Sequence, residues 1–169
     1  MRERAVYRDG YLHLLGYSVL SNQDGNKKFR VSYHRIKLSI ENGQPRLSYD
    51  RPDFRKAYFY DIHDDKVSMI DPVMQVNASG DVLIVYGSNT FTPSGIEVGA
   101  KRSLWRHDSL LPENAEIWRE GKVANNLGED YVKALGNAVD PKDNHTIWSV
   151  HKFADPDGKM NTVIGPYTP

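Results

Sequence analysis

Gln75-Val76-Asn77-Ala78-Ser79-Gly80-Asp81-Val82-Leu83-Ile84-Val85-Tyr86 enters a polar turn from one apolar strand and leaves it in another. Asn, Ser and Gly are the residues a tight turn favours. The run from Val82 to Tyr86 is almost wholly apolar, as in strands packed inside a sheet assembly. The same pattern recurs at Ala5 to Leu14, around Asp9-Gly10, and at Ala138 to Val150, around Asp140-Pro141-Lys142-Asp143-Asn144. A strand-turn-strand unit returning at about 60 to 70 residues predicts stacked or radial sheets, each burying its faces against its neighbours.

Between these units the chain reads as strands and turns. Tyr11 to Leu20 and Phe29 to Ile40 are predicted strands around a turn at Asn22 to Asn26, and Asn42-Gly43 turns the chain into Pro45 to Tyr49. In the second of these strands Val31 and Tyr33 share a face with Arg35 and Lys37, while Ile36, Leu38 and Ile40 lie on the other. Apolar character thus changes face midway, which implies a twist, a bulge or burial on both sides. Ala57 to Ile62 predicts a strand closed by His63-Asp64-Asp65, and Ile96 to Arg102 another. Pro112 to Gly121 carries helix-forming residues after a proline suited to a helix start, but its place between two inner strands favours an outer strand. Asn161 to Ile164 reads as the last strand before a proline-rich end.

Composition narrows the functional classes. The 169 residues are 39% hydrophobic and 26% charged, with 22 basic and 22 acidic side chains, as in an ordinary soluble globular chain. A zero net charge without charge runs argues against nucleic acid or an anionic membrane as partner. Arg30, Arg35 and Lys37 read as a solvated sheet face. With no cysteine there is no disulfide, thiolate metal site or cysteine nucleophile. The start carries no apolar segment of signal-peptide type, and no 18-residue apolar run occurs, so neither a signal peptide of its own nor a membrane helix is predicted. The compartment stays open between cytoplasm and, within a longer precursor, the exterior. The sequons at Asn77 and Asn144 read as turn chemistry.

The third unit carries a family resemblance. Asp130-Tyr131, then Asn137-Ala138-Val139-Asp140-Pro141-Lys142-Asp143 and Thr146-Ile147-Trp148-Ser149-Val150-His151-Lys152-Phe153-Ala154, resembles a blade of bacterial β-propellers of the sialidase-like, Asp-box type. In that pattern a Val-Asp-Pro-x-Asp turn joins two strands and a Trp opens the second. Asp71-Pro72 with Val76 to Asp81 looks like another copy. The places where the Asp-box usually has Gly and Ser or Thr hold His145 and Pro141. The resemblance implies an all-β, propeller-like domain over 1–169, with approximate blades 5–65, 66–125 and 126–169. It also implies a structural part for Asp143 and Trp148. Propellers close with about four to eight blades, so three make a half-propeller, and a second copy completing six is the simplest closure.

Catalytic motifs are absent from the sequence: no Gly-x-Ser-x-Gly elbow, phosphate loop or dinucleotide fingerprint occurs. The six histidines are scattered without zinc-ligand spacing. Asp155 and Asp157, in Asp155-Pro156-Asp157-Gly158, carry oxygens of the kind calcium favours, but without EF-hand spacing, and turn chemistry accounts for them. Tyr58, Tyr60, Trp105 and Trp118 are the candidate ligand-stacking aromatics. The expected function is a propeller binding or interaction module for a glycan or protein, acting as a homodimer, with no cofactor. The alternatives are a sialidase-like glycoside hydrolase or lyase, which would need convergent carboxylates, and a non-catalytic fragment of a longer propeller.

Overall fold

The computed structural model describes residues 4–21, 27–49, 58–59, 67–109, 112–125 and 136–169. Its elements are all strands: β1 (Arg4–Arg8), β2 (Tyr11–Ser21), β3 (Lys27–Glu41), β4 (Gln44–Tyr49), β5 (Tyr58–Phe59), β6 (Val67–Val76), β7 (Val82–Thr92), β8 (Gly95–Trp105), β9 (Glu116–Val123), β10 (Gly136–Val139), β11 (Ile147–Ala154) and β12 (Met160–Tyr167). They form three antiparallel sheets, each drawn from one stretch of chain. The first has the order β1-β2-β3-β4, with β5 also pairing β3; the middle is β6-β7-β8-β9; the third is β10-β11-β12. No helix among the described residues is long and apolar enough to cross a membrane.

Local chemistry explains the reversals. Asp9-Gly10 and Asn42-Gly43 are two-residue hairpin loops in which both residues have positive φ, between the pairs Arg8↔Tyr11 and Glu41↔Gln44. That geometry matches the right-handed twist of the flanking strands and favours Asp or Asn followed by Gly. Within the described strands proline occurs only on sheet edges: Pro45 in β4, Pro72 in β6 and Pro166 in β12, where its missing N–H breaks no internal ladder. At Pro72 there is a bulge. Ile70 pairs with Gly87 and Val73 with Val85, leaving Asp71, at φ 47°, and Pro72 opposite Tyr86 alone.

The middle sheet is the centre of the stack. Val82, Ile84 and Tyr86 of β7 join Met74, Val76, Trp105 and the first sheet's Leu15, Val31 and Tyr33 in one buried cluster. Leu83 and Val85, pointing the other way, join Val73, Leu104 and the third sheet's Ile147 in a second. The period of two therefore sends one unbroken apolar run into two cores. Strands β1 and β3 pack on β6, β10 lies beside β6, and β11 packs across β7, β8 and β9.

The change of face in β3 now has a physical form. The strand runs without a bulge through its pairing with β2 and β4. Val31, Tyr33 and Arg35 face the middle sheet and are buried, whereas Leu38 and Ile40 lie on the opposite face and are exposed. Arg35 is thus not part of a solvated face, because the middle sheet covers it. Glu116–Val123 is a strand, as its place between inner strands predicts, and the final strand continues through Pro166 to Tyr167. Of the Ala57 to Ile62 prediction only Tyr58–Phe59 is described; the rest, with His63-Asp64-Asp65, Asn22 to Asn26 and Asp130-Tyr131, lies outside the described residues.

Leu83 is fully buried. Leu83→Ala is expected to cost about 2–5 kcal/mol, because the transfer free energy is lost and a cavity is left. Urea unfolding with an unchanged m-value checks this; a loss below about 1 kcal/mol would contradict a tightly packed second core.

Candidate functional site

The three repeated turns meet at one end of the stack and are bonded to one another. Arg8 Nη1, at the first turn, donates to the carbonyl of Val76 at 3.2 Å. At the second, the Ala78 amide donates to the carbonyl of Asn144 at 2.7 Å, and the Ser79 hydroxyl bonds His145 Nδ1 at 3.2 Å. Each turn is also tied internally. Asn77 Oδ1 accepts the Ser79 and Asp81 amides at 3.0 and 2.9 Å. In the third, Asp143 Oδ1 accepts the His145 and Thr146 amides at 2.8 and 2.9 Å, and its Oδ2 accepts the Thr146 hydroxyl at 2.7 Å. That hydroxyl first, then the two amides, holds the Asp143 carboxyl down to about 2. The Trp148 indole donates to Asp140 Oδ2 at 2.9 Å, so both residues act within the turn. Asn144 sits at φ 58° and offers its backbone carbonyl.

Between the first two turns lies a cavity of about 310 Å³, lined by Arg8, Asp9, Tyr11 and His13 from the first sheet, by Val76, Ala78, Ser79 and Gly80 from the second turn, and by His107. Period two explains the first set: Tyr11 and His13 lie on the same face of β2. The second set depends on Gly80, at φ 80°, where a Cβ would press into the His107 ring. His107 itself is anchored from behind. Its amide donates to Asp81 Oδ1 at 2.9 Å, while Arg35 Nη1 donates to its carbonyl at 3.0 Å and contacts Nδ1 at 3.1 Å. Arg35 as donor makes Nδ1 the acceptor and puts the imidazole proton on Nε2.

An aromatic and cationic layer continues below the cavity. The Arg35 guanidinium lies 5.3 Å from the Tyr11 ring centroid, and Tyr11 meets His13 and His107 edge-on. His13 Nδ1 bonds the Tyr33 hydroxyl at 2.8 Å, and Tyr33 packs on Trp105 at 4.8 Å. Burial first, then the Arg35 charge, lowers the pKa of His13 to about 4, so the cavity floor is a neutral imidazole at pH 7. Asp9 is the one carboxylate among the lining residues, and its Oδ2 lies 3.6 Å from Arg8 Nε.

The aromatics singled out from the sequence do not share this site. Trp105 is buried between the first and middle sheets, its Nε1 donating to the Ser109 carbonyl at 3.1 Å. Trp118 packs between the middle and third sheets, near Gly165 and 5.8 Å from the Arg102 guanidinium. Tyr58 is described in backbone only and Tyr60 lies outside the described residues. Asp155 is engaged by donors: Oδ1 accepts the Asp157 and Lys159 amides at 2.9 Å, and Oδ2 accepts Asn161 Nδ2 at 2.5 Å. The Asp157 carbonyl accepts Asn125 Nδ2. Among the described residues no group of three or more His, Asp or Glu side chains is placed to hold a metal. Sequence reading missed Arg8, Tyr11, His13 and His107. Their only local signal was Tyr11 and His13 on one face; His107 arrives through long-range packing.

No family model, curated protein or solved structure matches the chain. The chemistry of the site therefore rests on its own geometry.

Two predictions follow from these contacts. His13 binds a proton when unfolded below about pH 6.5 but only near pH 4 when folded. Stability is therefore full above the upper value and falls as pH drops through this window, by on the order of 3 kcal/mol from His13. His151 adds to the same slope, since burial lowers its pKa against the Lys152 and Asp71 carbonyls that favour its charged form. Urea midpoints should fall between pH 7.5 and 4.5, and His13→Gln should flatten the slope; a flat wild-type profile would contradict the burial. Asn77 is buried with its amide oxygen accepting two backbone N–H groups. Asn77→Ala should cost about 1–3 kcal/mol, read as a lowered thermal midpoint.

Proposed function

We propose that the chain is a set of three β-propeller-type blades acting as a binding module, and that its ligand enters the cavity between the first two turns. The blade reading is supported by the order of the strands. Apart from β5, which pairs β3, each sheet is a meander of consecutive antiparallel strands, and β1 and β10, the first strands of the outer sheets, lie against β6, the first strand of the middle one. Radial repetition produces that arrangement. The resemblance of the third unit to an Asp-box blade agrees with the capping of its turn by Asp143.

The cavity is the observation that carries the binding reading. Its volume of about 310 Å³ is at the lower end of small-molecule sites, which range over roughly 300–1,000 Å³. Arg8 and Ser79 supply donors, Tyr11 an aromatic surface, and the imidazoles of His13 and His107 further polar edges. A hydroxyl-rich unit such as the end of a glycan fits this set. Hydrolysis by the usual acid pair needs two carboxylates facing each other across the bond. The lining offers Asp9, and the nearby Asp81 carboxylate is occupied by the His107 amide, so binding is the better reading than turnover.

Glycan-array screening followed by titration calorimetry tests the proposal. A glycan that binds wild type should lose at least tenfold in affinity with Arg8→Ala or Tyr11→Ala, with far-UV circular dichroism unchanged. A glycan bound equally well by both variants, or hydrolysis of chromogenic glycosides by wild type, would overturn it.

A further inference from the structure

The middle sheet buries both faces, but the first and third sheets each bury one. On the outer face of the first sheet, cross-strand pairing lines up Tyr7, Leu12, Ile36 and Tyr49 in one row, Leu38 with Leu47 in the next, and Ile40 with Pro45 beyond it. Exposure is 61% at Tyr7, 77% at Ile40 and 65% at Leu47. The outer face of the third sheet carries Trp148, Val150 and Ile164, with Trp148 44% and Ile164 69% exposed. Both are alternating apolar faces of the kind that neighbouring sheets cover in the middle sheet from Val82 to Tyr86.

The stack has a direction. The inner face of the first sheet covers one side of the middle sheet, whose other side is covered by the third. Repeating the same step once more brings the outer face of the third sheet against the outer face of another first sheet. We propose that this next first sheet belongs to a second copy of the chain, and that a two-fold axis pairs both such contacts and closes a ring of six sheets. One symmetry operation then covers every apolar face, whereas a head-to-tail contact without closure leaves two bare at the ends of a growing filament. Fully exposed aromatic side chains present roughly 150–250 Å² each. The seven large exposed side chains of the two faces (Tyr7, Leu38, Ile40, Leu47, Tyr49, Trp148 and Ile164) amount to on the order of 800 Å² per copy, the share each partner contributes to a stable interface.

This inference rests on the blade reading above but not on the cavity, so its test is separate. Sedimentation velocity on the full chain should give a species of about twice 19.3 kDa. The double variant Ile40→Glu/Leu47→Glu, on the first sheet, and Ile164→Glu, on the third, should each be monomeric with unchanged circular dichroism, since all three positions are exposed within one copy. Mixing the two should restore a dimer, because one of the two contacts then joins two unaltered faces. A wild-type monomer overturns the proposal. So does a dimer that survives Ile164→Glu, which would mean first sheet on first sheet, and so does a concentration-dependent ladder of larger species, which would mean contact without closure. A wild-type dimer that binds no glycan, or whose glycan affinity is unchanged by Arg8→Ala and Tyr11→Ala, would count against the binding reading alone.

Discussion

A strand that is apolar on both sides requires two neighbours. Val82 to Tyr86 are five consecutive buried residues, and their alternation sends Val82, Ile84 and Tyr86 into one core and Leu83 and Val85 into the other. Each core needs a sheet to close it. The first and third sheets therefore take up opposite sides of the middle one, and the rest of the architecture follows from that demand. It brings β1, β6 and β10 together and collects the three turns at one end.

The two interfaces meet this demand differently. The middle-to-third interface is aliphatic around Ile147, with Arg102 against the Trp118 and Tyr167 rings and buried His151 bonding the Asp71 carbonyl beyond it. The first-to-middle interface places a buried guanidinium, two imidazoles and three aromatic rings beside its apolar cluster. Buried polar groups are tolerated when they are bonded, and Arg35 and His13 are tied to His107 and Tyr33. That layer orders the cavity wall, since Arg35 fixes both the backbone and the tautomer of His107. Binding surface and core packing are thus one structure here, and acidification that protonates His13 acts on both.

Much of the fold was legible because its signals are local. Asp9-Gly10 and Asn42-Gly43 announce their hairpins through positive φ, and the uniform run at Val82 announces burial on both faces. The structural part that the resemblance implies for Asp143 takes the form of a turn cap, a carboxylate accepting the amides beside it. The site was much less legible. Arg35 looks like a surface residue because lysine follows it at the next position on its face, and only the covering sheet makes it buried. Trp105 and Trp118 looked like stacking platforms by residue type, yet their rings fill the two spaces between sheets. His13 and His107 meet through packing across many intervening residues, which no local spacing encodes.

Native-state hydrogen exchange measures the central claim directly, because it ranks the strands by how much of the stack must open to expose them. The amides of Val82 to Tyr86 should be the slowest in the molecule, exchanging only through global unfolding and showing the full dependence on denaturant. Those on the outward edges of β4 and β12 should exchange readily. Exchange at Leu83 and Ile84 through local opening, as fast as at β4, would contradict a middle sheet held between two neighbours.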